Sequence, residues 1–294
     1  MSESFVDTHA HYNLPAYADD LDDVMADVRD AGIERVICPA IGYGNNAHML
    51  ETLRVYPEIF FALGIHPKHV CPGKLARKTI PALAGMKALK AWHADRLGLL
   101  DRLSSQVESL RSMAESEPRV VAIGETGLDY SLRPSEFERE VQVALFQLQI
   151  ELSLQLGLRL VLHVRDAHDD AVGVLRKYRG AARGVVHCFG GEPCEADDYL
   201  SLGLYLGIGG RVTHEAAGGL RDAVTQAPSE RLVLETDAPY VLPAGFGGDR
   251  NDSTAIPMIA REVAALRGEG VADVACYTTR NAACLFFSGK GSTT

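Results

Sequence analysis

The sequence predicts an α/β protein folded as a single (β/α)8 barrel. Short β-branched apolar runs alternate with amphipathic helical stretches, the pattern of parallel strands joined by crossover helices. Eight such runs fall within 294 residues, with no linker or low-complexity tract between them. Barrels of this kind commonly occupy about 250 residues as one domain. Residues 1–288 therefore read as one barrel and 289–294 as a flexible tail.

Taken in order, Phe5 and Val6 end a first strand and lead into Asp7-Thr8-His9-Ala10-His11. A loop at Asn13-Leu14-Pro15 precedes a helix from about Asp19 to Ala31, stopped by Gly32, whose acidic start complements the helix dipole. Arg35 to Ala40 is the second strand, Asn46 to Tyr56 the second helix, and Ile59 to Ile65 the third strand, which runs into His66-Pro67. From Cys71 to Arg102 the alternation breaks. Lys74, Arg77, Lys78, Lys87, Lys90, Arg96 and Arg102 outnumber Asp95 and Asp101 there, and the only tryptophan, Trp92, lies among them. This basic segment, 71–102, after strand 3 reads first as a solvated helical insertion that packs Trp92 against the body, and alternatively as a basic flap that helps hold a phosphate backbone.

A helix from about Leu103 to Glu115 leads to the fourth strand, Arg119 to Ile123, and to Gly124-Glu125-Thr126-Gly127-Leu128-Asp129-Tyr130. A long helix from about Phe137 to Leu156 halts at Gly157. The fifth strand, Leu158 to Val164, carries His163, and a helix from Asp169 to Tyr178 follows. The sixth, Gly184 to Cys188, carries His187 and precedes a helix near Glu195 to Ser201. Gly203 to Ile208 is the seventh strand, and Arg231 to Glu235 the eighth, which delivers Thr236-Asp237-Ala238-Pro239-Tyr240. Thr254 to Arg267 and Val271 to Phe287 supply closing helices.

Bulk properties exclude several classes. Hydrophobic residues at 47% and charged residues at 23% allow a large core and argue against disorder. The formal net charge of −10 leaves no global field to attract nucleic acid, so a polyanionic substrate needs a local basic site or bound cations. Six cysteines without a CxxC pair read as reduced thiols rather than a disulfide scaffold. The start of the chain lacks a basic segment followed by an apolar run, and no stretch of about 18 apolar residues occurs, so a cytoplasmic protein without a membrane span is expected.

The chemistry lies at the strand ends. His9 and His11, two residues apart in extended chain, project to one side and can reach one ion. His66, Glu125, His163, His187 and Asp237 each follow or end another strand. Any one of them has an ordinary structural explanation, as a core histidine, a helix cap or a turn residue. In a barrel all strand C-termini open on one face, so these seven side chains converge on one mouth. Imidazole and carboxylate ligands without cysteine suit Zn2+, Mn2+, Fe2+ or Mg2+. Two ions need an anion between them, and Glu125, central in strand order, is the natural bridge. His9, His11 and Asp237 then hold one ion, and His163 and His187 the other. Such a pair activates water and neutralises a phosphoryl transition state, with Asp237 placed to take the proton.

The series DTHAH, GIHP, GETGLD, LHVRDAH, VVHCFGG and ETDAPY, with Arg250-Asn251 and Asn281, resembles the TatD-type metal-dependent deoxyribonucleases of the amidohydrolase-like superfamily. The resemblance spans nearly the whole chain, in order. It implies a TIM barrel, two divalent cations (Mg2+, Mn2+ or Zn2+) and hydrolysis of DNA phosphodiesters, often from the 3′ end of single strands. It maps one ion onto His9, His11, Glu125 and Asp237 and the other onto Glu125, His163 and His187. It also implies that His66 lies near the scissile phosphate and that Arg165 and Arg250 contact phosphate. The basic 71–102 segment and Thr126 depart from the family pattern. Because fold does not decide substrate, two other readings stand beside this one. The first is hydrolysis of a different ester or amide, such as an aminoacyl-tRNA ester, and the second a non-catalytic metal-binding subunit of an assembly.

Overall fold

The structure is a computed structural model that describes residues 4–70 and 96–288. Most of the expected basic insertion, including Lys87, Lys90 and Trp92, and the expected tail at 289–294 lie outside the described residues. Residues 96–102 form the first turns of the helix Arg96–Ser116, which leads to the fourth strand.

Eight parallel strands run in sequence order around one sheet: β1 Phe5–Asp7, β2 Ile33–Pro39, β3 Ile59–Leu63, β4 Val120–Asp129, β5 Arg159–Arg165, β6 Gly184–Val186, β7 Tyr205–Ile208 and β8 Leu232–Leu234. Beyond the last rungs, β8 and β1 are joined by Thr8 N–H to Leu234 O (3.0 Å), Asp237 N–H to His9 O (2.8 Å) and His11 N–H to Ala238 O (2.7 Å), which closes the ring. The protein is a (β/α)8 TIM barrel.

Strand alternation sorts the side chains. In β5, Leu160 and Leu162 pack outward among the helices, whereas Val161 joins Val6, Ile37, Val121, Val185 and Val233 in a separate inner cluster. Leu285 and Phe286, from the turn that ends the helix Val271–Ala282, pack against that cluster. The side chains two residues beyond the inner valines, His163, His187 and Glu235, keep the same inward parity. The apolar layer is thus the floor on which the polar mouth is built.

Local chemistry explains most of the helices. Ser135 and Glu138 form a reciprocal capping box at the start of the helix Glu136–Leu156, and Gly157 ends it in the left-handed conformation (φ 65°). The helix Gly218–Gln226, between β7 and β8, begins on Gly218 and Gly219, poor helix formers that leave little helical signal in the sequence. Strand β4 is longer than the apolar run Arg119 to Ile123 predicts. It carries Glu125 and continues to Asp129, with a register shift against β5 between Ile123 and Thr126.

Asp7 seals the barrel. Fully buried, it accepts hydrogen bonds from His9 N–H (3.0 Å), Thr236 N–H (3.1 Å), Thr236 Oγ1 (2.7 Å) and Ser253 Oγ (2.6 Å). Burial pushes its carboxyl up to about 6 against the lowering effect of these bonds. Asp7→Ala strands four buried donors and is expected to lower stability by about 3 kcal/mol in denaturant titration; an unchanged midpoint would contradict the sealing role. Gly127 has φ 140°, and a Cβ there would lie 2.0 Å from the His163 carbonyl oxygen. Gly127→Ala is expected to cost at least about 2 kcal/mol by the same measurement, because β4 and β5 cannot then keep their spacing.

Candidate functional site

The mouth above the apolar floor is lined by side chains from the ends of six strands. His9 and His11 follow β1, both buried, with their Nε2 atoms 3.1 Å apart. The Pro39 carbonyl at the end of β2 lies 3.3 Å from His11 Nδ1, which leaves His11 Nε2 facing the mouth. Glu125 projects from β4 and is 3% exposed. Its two oxygens face different partners. Oε2 is 3.8 Å from His9 Nε2 and 3.7 Å from His11 Nε2. Oε1 is 2.8 Å from both His163 Nδ1 and His187 Nε2.

Asp237, just past β8, completes the first set, with Oδ1 3.6 Å from His9 Nε2 and 3.4 Å from His11 Nε2. Its backbone is left-handed (φ 55°), an arrangement that costs a non-glycine residue energy and recurs at functional sites. Asn251, fully buried, braces this turn by donating to the Thr236 and Tyr240 carbonyls (3.0 and 2.7 Å).

The second set is oriented from behind. His163 Nε2 lies 2.9 Å from Asp129 Oδ2, so a proton on Nε2 leaves Nδ1 with a lone pair toward Glu125 and His187. Asp129 also meets Lys68 Nζ at 3.0 Å. His66 is placed differently. Its Nδ1 accepts the Lys68 backbone N–H (3.0 Å), so its proton sits on Nε2, 3.5 Å from Glu125 Oε1. It is a neutral donor aimed into the mouth.

Electrostatics separate these imidazoles. Burial, reinforced by the His187 charge, holds His9 well below the ordinary histidine value. Burial, with the His163 charge, brings His66 down to about 4. For His163 burial pulls downward but is outweighed by hydrogen bonds to Asp129 and Glu125, which lift it to about 9. His11 is also raised, because its bond to Asp237 and the Glu125 charge outweigh burial. Burial would raise Glu125, yet the imidazoles of His187, His66 and His163 gathered around it, with hydrogen bonds from His163 and His187, hold it well below the usual carboxylate range. Without a cation, the cluster attracts protons in its place.

The donors fit a divalent metal. His163 Nδ1, His187 Nε2 and Glu125 Oε1 are mutually 2.8–3.1 Å apart, close to the ~3.0 Å between adjacent ligands at right angles around an ion with bonds of about 2.1 Å. His9, His11 and Glu125 form a second group able to hold a metal, with Asp237 beside it.

The structure thus brings together His9, His11, His66, Glu125, His163, His187 and Asp237. Arg165, exposed at the end of β5, lines an adjoining cleft of ≈740 Å3 with His187, Cys188, Gly190 and Arg211. Arg250 stands apart from the expected phosphate contact. Its guanidinium forms a two-pronged pair with Asp20 (3.0 and 2.6 Å), bonds the Ala16 carbonyl and covers the Tyr17 ring. These partners take up three of its five N–H donors.

Sequence reasoning missed Asp129, Lys68 and Glu235. Asp129 stands in the GETGLD series and was available as a ligand-orienting carboxylate. Lys68 follows GIHP without a signal of its own. Glu235 reads as the polar end of an apolar strand, yet it is fully buried.

A family model described as "TatD related DNase" matches residues 6–287. The chain is 32% identical over 277 residues to a protein of Erwinia amylovora named 3′-5′ ssDNA/RNA exonuclease TatD, covering 92% of this chain and 95% of that protein. It is 30% identical over 284 residues to the Escherichia coli K12 metal-dependent hydrolase YjjV, covering 96% and 97%. The crystal structure of YjjV superposes with a TM-score of 0.77 at 28% identity, covering 96% of this chain and 98% of that one. With matching ligand motifs, barrel and metal-competent cluster, the chain belongs to the TatD family of metal-dependent hydrolases.

Proposed function

We propose that this metal-dependent hydrolase cleaves DNA phosphodiester bonds as a 3′→5′ exonuclease on single strands, with two divalent cations (Mg2+, Mn2+ or Zn2+). The observation that carries the reading is Glu125, one buried carboxylate with each oxygen turned to a different pair of imidazoles. His9, His11, Glu125 and Asp237 would hold one cation, and Glu125, His163 and His187 the other. Cations held there lower the pKa of water and neutralise charge developing on a phosphoryl centre.

The chain's own groups do the rest. Asp237 presents a carboxylate at the rim and takes the proton of the attacking water. His66, fixed as a neutral Nε2–H donor, hydrogen-bonds a phosphate oxygen without adding charge. Arg165 and Arg211 line the cleft beside His187, and among the described residues neither has a carboxylate partner. They give a phosphate backbone a local cationic track in a chain of net charge −10. Arg250, held by Asp20, fixes the loop that carries Asn251 rather than substrate. The name of the Erwinia amylovora relative, an exonuclease on single-stranded DNA and RNA, supports this substrate class.

The test is end-labelled single-stranded DNA with free or blocked 3′ ends, incubated with Mg2+, Mn2+ or Zn2+. Stepwise shortening from the free 3′ end is expected, stopped by the block, with Glu125→Ala slower by at least about a thousandfold. No cleavage with any cation, or internal cuts on blocked strands, would overturn the reading. A second measurement is cation affinity against pH, by competition with a chromophoric chelator. His163 carries a proton up to about pH 9, so a cation must displace it below that value. Affinity is expected to rise about tenfold per pH unit from 6.5 to 8.5 and then flatten; a pH-independent affinity would contradict it.

A further inference from the structure

Behind the imidazoles, besides Asp129, lies a further carboxyl group that neither donor set uses. Glu235 is fully buried, and Gly207 makes its seat, because a Cβ there would lie 2.2 Å from Glu235 Oε2. Oε1 accepts the Cys188 backbone N–H, whereas Oε2 has no hydrogen-bond partner among the described residues. Two other buried atoms nearby share that condition: His9 Nδ1 and His187 Nδ1. The two rings stack with centroids 3.9 Å apart and planes 10° from parallel. His187 Nδ1 lies 3.9 Å from Glu235 Oε1, and His9, His187 and Glu235 each offer an atom within 4.8 Å of the others.

Ligand chemistry pairs these atoms. His9 and His187 both turn Nε2 toward Glu125. A neutral imidazole that ligates through Nε2 carries its proton on Nδ1. A buried N–H without an acceptor is costly, and an outer carboxylate is the usual acceptor behind a ligating histidine. We infer that Glu235 is a positioning residue that accepts hydrogen bonds from Nδ1–H of both His9 and His187, fixing the two rings as Nε2 ligands. A shift of about 1 Å brings His187 into hydrogen-bond range. Since His9 belongs to one donor set and His187 to the other, a single carboxyl group ties the two sets together. The inference rests on the reading of the cluster as a two-cation centre.

The test uses Zn2+ alone on the full chain, with chelator competition for affinity and two-bond 1H–15N spectra for histidine tautomers. Zinc-loaded wild type is expected to show protonated Nδ1 on both His9 and His187. Glu235→Leu is expected to weaken both binding steps together, about 10- to 100-fold each. Glu235→Gln, which keeps one acceptor oxygen, recovers part of that loss; a space-filling role predicts instead that Leu binds Zn2+ as wild type does. A proton-free Nδ1 on either ring in loaded wild type overturns the inference. So does a Leu variant weakened at one step only or at neither. If the Leu variant does not fold, the wild-type tautomers decide. A wild type that takes up no Zn2+ overturns the metal reading and this inference with it, whereas uptake with the wrong tautomers overturns this inference alone.

Discussion

A carboxylate sealed among imidazoles must have positive charge at hand, and Glu125 imposes that demand on the whole mouth. At 3% exposure it has given up hydration, so its charge is tolerable only if protonated rings or cations face both oxygens. The surrounding histidines divide accordingly. His11 and His163, hydrogen-bonded to Asp237 and Asp129, hold protons readily, whereas burial and neighbouring imidazoles keep His9 and His66 neutral. A divalent ion answers the same demand better than a proton. The arrangement is therefore selective for cations before any substrate arrives.

The apolar floor turns this demand into geometry. Side chains two residues past the inner valines inherit their direction, so β5, β6 and β8 need only a change of residue type, valine to His163, His187 or Glu235, to become polar at the correct height. The left-handed turns at Asp166, Cys188 and Asp237 then bend the chain away directly above. A packed barrel below and strained turns above leave the ligating groups little freedom.

Much of this was legible in the sequence, because strands and ligands each leave a periodic trace. Valine-rich runs followed by a histidine or an acid identified the strand ends, and His9-Ala10-His11 identified the first donor pair. What escaped did so for physical reasons. The helix Gly218–Gln226 hid behind two glycines and is held by packing rather than propensity. The extension of β4 through Glu125 to Asp129 has Thr126 as its one β-branched residue and two glycines, and its course depends on Gly127 meeting the His163 backbone. The resemblance offered Arg250 as a phosphate contact; its pairing with Asp20, 230 residues away along the chain, is not visible in the sequence. Glu235 was hidden by the opposite error, since an acid at the end of an apolar strand reads as exposed.

The seal between β8 and β1 joins the extremes of the chain: Asp7 is held by Thr236 and Ser253, and His9 meets Asp237. A nascent polypeptide that has emerged as far as Glu235 already carries five of the six proposed ligands, yet it lacks Asp237 and its ring stays open. On the proposed ligand set, hydrolytic competence waits until Asp237 and Ser253 have been made. Truncated products and proteolytic fragments would carry the donors without the chemistry.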